Sequence, residues 1–397
     1  MFGAHIAVPS GLGSEPVRIL FSSLGLYGHT FPLLPLAVAA RELGHDVDYF
    51  TGKVFADVLA AHGIEHIEGG MSPRKAFEFA IAGARPETPS DVDAERVAFT
   101  FASVLPRSFV TGLAPVLAER KPDLVVHEFG NPGAGLAAKV AGVPALCHSY
   151  GRMWQEPDFA EPARDYLTAL GAELGVEVPR TDSMALGHPY LDICPPSVQN
   201  PAFLASSVHR IPLRPVAFAA PGELPSWVVE HREPLVYLTL GTAFSEAALL
   251  RTAIDGLAVV GARVLVAAGP KVDPAALGEL PDNVVVLPWV PQADLLPHAD
   301  LVVHHGGAGT TMGTFGAGVP QLVLPQAADQ FNNADVVTEA CLGDHLLAED
   351  VTAEAIATKA RRLLTDGAVR DAARAMATEV AAMPSPHDVA RTLPDYA

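Results

Sequence analysis

A histidine that ends a glycine-rich turn is a candidate proton acceptor. His29 closes Ser22-Ser23-Leu24-Gly25-Leu26-Tyr27-Gly28, which follows the apolar, β-rich run from Val17 to Phe21. Behind it Leu33, Leu36, Ala37, Ala40 and Leu43 recur at helical spacing, and Gly44 stops the helix. A ring placed there stands at the carboxyl end of a strand, where open α/β sheets bind ligands. With a reference pKa of about 6.5, it suits removal of a proton from a hydroxyl at neutral pH. Taken alone, a histidine at a helix start is more often a capping or packing residue.

A second constellation points to anion binding. The strand Leu301 to His304 runs into His305-Gly306-Gly307-Ala308-Gly309-Thr310-Thr311 and then a helix. Small residues at that junction let the backbone approach a ligand, and the helix start offers unpaired N–H groups to a phosphate. It is not a P-loop, because the lysine and its spacing are absent, and no acidic residue follows where a dinucleotide site needs one. The blander role for these glycines is close helix–sheet packing.

The elements that carry these residues are doubled. Asp123-Leu124-Val125-Val126-His127 reappears as Asp300-Leu301-Val302-Val303-His304, and each copy leads through a helical stretch to Ala-Gly-Val-Pro, at Ala141 and at Ala317. Strands and helices alternate around both, which implies parallel sheets with right-handed crossovers in two α/β domains. A chain of 397 residues fits two such cores. The expected layout is a flexible leader over 1–16, a first domain over 17–215, a proline-rich linker over 216–233, a second domain over 234–383, and a tail over 384–397 that crosses back.

Bulk properties exclude several classes. A net charge of −19 argues against nucleic acid as a partner. Cys147, Cys194 and Cys341 are too scattered for a disulfide framework or zinc site and read as reduced thiols of a cytoplasmic protein. Residues 1–16 lack the basic start and apolar run of a signal peptide, and no apolar run approaches the ~20 residues that cross a bilayer. No metal site is expected. His62, His66, His148, His188, His209 and His298 show no ligand spacing, and Asp46-Val47-Asp48 and Asp91-Val92-Asp93 stand at a strand entry and in a polar loop.

Trp289-Val290-Pro291-Gln292, the stretch from His304 to Thr310, and Asp329-Gln330 resemble the donor-site signature of nucleotide-sugar glycosyltransferases of the GT-B fold. The segment from Ser23 to Pro35 and the second repeat are most similar to actinobacterial antibiotic glycosyltransferases, such as those of calicheamicin biosynthesis. The resemblance runs from about Val17 to Met383. It implies two Rossmann-like, doubly wound parallel-sheet domains facing a central cleft, with the acceptor on the first and the donor on the second. It also implies roles. His29 would be the catalytic base and Glu128 its acidic partner, although plant members have Asp there and Glu128 could instead touch the acceptor. Trp289 would stack on the nucleobase with Val290 and Gln292 beside it. Thr242 and His304 would contact the phosphates, and Gly306, Gly307, Ala308, Gly309 and Thr310 would cradle them. Asp329 and Gln330 would hold the sugar.

In uridine-nucleotide members a Glu eight residues after the first His of this motif grips the ribose hydroxyls; here that position is Met312. The departure implies a thymidine-diphosphate (TDP) donor, whose sugar is expected to be a deoxysugar, with a UDP-sugar as the alternative. The expected reaction is an inverting, metal-independent transfer, without a cofactor, to a hydroxyl of a hydrophobic natural-product aglycone. Phe77, Phe79, Phe99, Phe101, Met153 and Trp154 are candidates for an apolar acceptor wall, against ordinary helix packing. No membrane partner is expected, and a homodimer is compatible. Rival readings are an epimerase of the same fold and a catalytically silent partner that activates another glycosyltransferase.

Overall fold

The computed structural model describes residues 15–82, 94–153, 157–180, 184–219, 222–242 and 246–397. Most of the expected leader, Trp154 and the Asp91-Val92-Asp93 triplet lie outside these residues.

Two parallel sheets are built the same way. The first has seven strands: β1 (Arg18–Ser22), β2 (Asp46–Thr51), β3 (Glu65–Glu68), β4 (Leu124–Glu128), β5 (Ala145–His148), β6 (Tyr190–Asp192) and β7 (Arg210–Pro212). The second has six: β8 (Leu235–Thr239), β9 (Arg263–Ala267), β10 (Val284–Leu287), β11 (Leu301–His304), β12 (Gln321–Val323) and β13 (Gly343–His345). Their orders, β3-β2-β1-β4-β5-β6-β7 and β10-β9-β8-β11-β12-β13, are those of doubly wound folds. The winding reverses between β1 and β4 in one domain and between β8 and β11 in the other. At such a switch point neighbouring connections leave the sheet in opposite directions and open a crevice at the strands' carboxyl ends.

The doubled pentapeptide is the strand at each switch point. Asp123 Oδ2 accepts the Arg18 N–H at 2.8 Å, and Asp300 Oδ2 accepts the Leu235 N–H at 2.8 Å, so each Asp ties the start of its strand to the first strand of its domain. The apolar residues that follow are buried on both faces by flanking helices. Each copy then feeds a ten-residue helix, Pro132–Ala141 or Ala308–Ala317. Both helices end at a glycine with φ of +69°, Gly142 and Gly318, a conformation that a β-carbon disfavours.

Between β3 and β4 a helix runs from Ala94 to Arg120, with a wider π turn over Thr100–Val104. By length and composition alone it could cross a membrane, but Leu105, Phe109, Leu113 and Leu117 are buried in the core of the first domain. The proline-rich stretch after β7 includes a helix, Ser226–Glu230, whose Trp227 lies 4.0 Å from the Arg263 guanidinium. The chain's last segment returns to the first domain. The Arg214 N–H donates to the Pro384 carbonyl at 2.8 Å. The helix Pro386–Ala390 then packs on Leu34–Glu42, burying Val389, Ala390 and Leu393 in one cluster with Leu36 and Ala40.

Candidate active site

The end of β1 and the end of β4 lie side by side, with Ser22 opposite His127 in register. The chain leaves β1 through a tight turn into the short helix Tyr27–Thr30, which brings His29 over the end of β4. Hydrogen bonds of Ser23 Oγ with Thr30 Oγ1 (2.9 Å) and of the Tyr49 hydroxyl with Ser23 Oγ (3.1 Å) pin that turn. His29 Nδ1 then meets Glu128 Oε1 at 3.1 Å. The Glu128 side chain is fully buried and is held from its own domain, accepting the N–H groups of Leu24 (3.3 Å) and Gly130 (2.5 Å). A carboxylate fixed in this way orients the imidazole with its proton on Nδ1 and leaves the Nε2 lone pair free for a substrate hydroxyl.

Burial works to lower the pKa of His29. The charge and hydrogen bond of Glu128, with the charge of Asp329 from the second domain, outweigh it, so the ring titrates above its ordinary value. Two residues that the sequence did not single out shape this corner. Tyr150 stands with its ring centroid 5.5 Å from that of His29. Gly130 has to be small, because a β-carbon there would lie 2.9 Å from His29 Cε1 and 3.0 Å from Glu128 Oε2.

Across from Tyr27 and Gly28, the residues just before His29, lies the helix start of the second domain. Gly306 turns the chain with φ of +88°, where a β-carbon would collide with Val323 and the Gln330 carbonyl. The helix Ala308–Ala317 opens after Gly307 with no side chain capping it, so its first N–H groups are free to meet an anion. Thr242, Trp289, Val290, Gln292, Gly307, Ala308, Gly309, Thr310 and Met312 line one cleft of about 1100 Å³, part of it open to solvent. Tyr27, Gly28 and Phe31 of the first domain close its other side. Trp289 is 38% exposed and its ring lies 5.4 Å from that of Tyr27.

One expected phosphate contact is corrected. His304 is fully buried, with Nε2 2.8 Å from Gln321 Oε1 and Nδ1 accepting the Gly306 N–H, so neither nitrogen is left for a ligand. The ring that lines the cleft is that of His305, packed between Gly241 and Gly307, where a β-carbon on either would come within 2.5 Å or 2.4 Å. Its Nδ1 has no partner, and burial pulls its pKa down to about 4. It is therefore neutral at pH 7, and its hydrogen bond to the Thr239 backbone uses its one N–H.

Other expected site residues are placed differently. Gly306 shapes the turn but does not line the cleft. Gln330 braces its own loop, its Oε1 accepting the N–H groups of Gln326 (2.8 Å) and Ala327 (3.1 Å). Asp329 accepts from Asn333 Nδ2 at 3.0 Å, and burial raises its pKa. Neither of these lines the cleft, although the Asp329 charge reaches His29. The expected acceptor aromatics stand in different surroundings. Phe77 stands edge-on to Phe101 and Phe99 edge-on to Tyr166, while Phe79 is 64% exposed. Met153 is buried with Tyr190 and Phe203. Among the described residues no group of three or more His, Cys, Asp or Glu could hold a metal ion, and Asp48 faces Arg120 at 3.8 Å.

Known proteins share this fold. Residues 38–241 match the family model for the N-terminal domain of erythromycin biosynthesis protein CIII-like proteins, and residues 251–395 match that for their C-terminal domain. The L-demethylnoviosyl transferase of Streptomyces niveus is 32% identical over 388 residues, covering 95% of this chain and 97% of that protein. The glycosyltransferase SsfS6 of Streptomyces sp. SF2575, solved with thymidine diphosphate, superposes with a TM-score of 0.79 at 25% identity, over 96% of this chain and 99% of that one. The calicheamicin glycosyltransferase CalG4 does so with a TM-score of 0.79 at 25% identity, over 96% and 98%.

Proposed function

This chain belongs to the erythromycin CIII-like family of glycosyltransferases, and we propose that it moves a deoxysugar from TDP to a hydroxyl of a hydrophobic natural-product aglycone. Transfer proceeds with inversion and without a metal ion. The observation that carries this reading is the His29–Glu128 pair, held next to Tyr27 and Gly28 on one side of a cleft whose other side is an uncapped helix start.

His29 Nε2 takes the proton of the aglycone hydroxyl as its oxygen attacks the anomeric carbon. The new C–O bond forms as the bond to the diphosphate breaks, and the pair of electrons leaves on the TDP oxygen. Glu128 stabilises the imidazolium. The N–H groups at the start of Ala308–Ala317 meet the charge that develops on the diphosphate. His29→Ala is expected to lower kcat by about a hundredfold or more while TDP binds nearly as before. Unaltered turnover would remove His29 from the mechanism, and an unchanged anomeric configuration in the product, read by NMR, would remove inversion.

The donor base follows from Met312, which lines the cleft where uridine-using members carry a carboxylate. A thioether cannot accept two strong hydrogen bonds from ribose hydroxyls, and 2′-deoxyribose does not ask for them. The structure of SsfS6 with thymidine diphosphate supports the same choice. TDP-sugars should outperform UDP-sugars in kcat/KM by roughly tenfold or more; the reverse ranking would overturn the thymidine assignment.

A further inference from the structure

Three side chains from three elements meet in the wall of the cleft near Trp289. Tyr237 comes from β8, Gln292 opens the short helix Gln292–Leu295, and Thr310 lies in the first turn of Ala308–Ala317. The Tyr237 hydroxyl is 3.4 Å from Gln292 Oε1, and Thr310 Oγ1 is 3.2 Å from the same oxygen. Tyr237 is only 2% exposed and sits among Leu235, Val290, Leu295 and Leu296. A phenylalanine would pack there as well, so the hydroxyl is explained by its hydrogen bonds and not by the core. Burial keeps the phenol protonated, against a hydrogen bond with Thr239, so it remains a donor.

A side-chain amide carbonyl accepts two hydrogen bonds, and here two hydroxyls approach the one oxygen. In the structure the amide lies with this oxygen toward both hydroxyls. Gln292 Nε2 then stands toward the Met312–Gly313 turn, where a β-carbon added to Gly313 would be 3.7 Å away. Both residues of that turn line the cleft.

We propose that Tyr237 is a positioning residue for the donor. Together with Thr310 it occupies the Gln292 carbonyl and so presents the Gln292 amide N–H groups to an oxygen acceptor of the nucleoside. A freely rotating glutamine would offer donor and acceptor equally; this one offers the donor. The inference rests on the TDP-donor reading and deepens it by naming what the wall recognises, a thymine carbonyl or a pentose oxygen.

A double-mutant cycle tests it. TDP is titrated by calorimetry into the full-length wild type, Tyr237→Phe, Gln292→Ala and the double variant, with melting temperatures checking the fold. Tyr237→Phe should weaken TDP about three- to tenfold and raise the donor KM more than it lowers kcat. In the Gln292→Ala background it should cost nothing further. Wild-type affinity in Tyr237→Phe, or the same loss in both backgrounds, would overturn the role. If Tyr237→Phe folds poorly, Thr310→Val completes an equivalent cycle. Thymidine and free thymine, titrated into wild type and Gln292→Ala, separate pentose from base as the acceptor. A wild type that prefers UDP to TDP would sink the thymidine reading alone, because the same cycle run with UDP still decides the role of Tyr237.

Discussion

In the proposed mechanism the chemistry concentrates in one imidazole whose two nitrogens face different tasks. Nδ1 of His29 is committed to Glu128 at 3.1 Å, and the Glu128 side chain is fully buried. For a general base, a raised pKa has a definite sign. The neutral ring takes the proton, so activity must fall as pH drops through a value above ~6.5. Glu128→Gln removes the charge that raises it while burial, which lowers it, remains. The acidic limb of the kcat/KM profile should then move to lower pH, with kcat reduced by roughly tenfold or more. A limb that stays in place in Glu128→Gln would mean that Glu128 does not tune His29, whatever else it holds.

At the scale of elements, the doubled strand–helix unit was readable because its punctuation is local. An Asp, an apolar run, and a helix ended by glycine and proline each act on their own neighbours. The parts that were not readable depend on faces. All four residues of β11 are buried, so no alternation of polar and apolar positions tells which of two adjacent histidines leaves the sheet. The structure gives the cleft to His305 and the interior to His304. Gly130 was equally silent, since its need for smallness comes from His29, far away in the chain. The ring partners of the expected acceptor aromatics were silent for a similar reason, as Phe77 and Phe99 meet Phe101 and Tyr166, which are distant from them in sequence. The repeat also allows a matched comparison. Gly142 and Gly318 share φ of +69°, but only Gly318 has a near neighbour, with Ala377 Cβ 3.1 Å from an added β-carbon. Gly142→Ala should therefore cost about 1–2 kcal/mol, and Gly318→Ala measurably more. Equal losses in urea midpoints would show that the helix C-terminus relaxes without cost around the added carbon.

For the whole molecule, the requirement is that two separately wound domains hold one reacting geometry. The proposed base belongs to the first sheet and the proposed diphosphate site to the second, so anything that fixes their relation would act on the reaction without touching a substrate. The contacts that do so are spread along the boundary. The rings of Tyr27 and Trp289 meet across it, Ser197 Oγ donates to Glu379 at 2.6 Å, and Arg152 is bonded to Asn332. The last segment, anchored through Arg214, adds a return path by burying Leu393 completely in a cluster shared with Leu36 and Ala40. Leu393→Ala removes that side chain from a packed site and should cost about 2–5 kcal/mol, seen as a lower Tm. The proposed donor wall, from Thr242 to Met312, belongs to the second domain, and Leu393 does not line it, although Met312 shares its apolar cluster. TDP affinity below the new Tm should therefore match wild type while stability falls. If TDP binding weakened in proportion to stability, the return segment would be shaping the donor site itself as well as joining the domains.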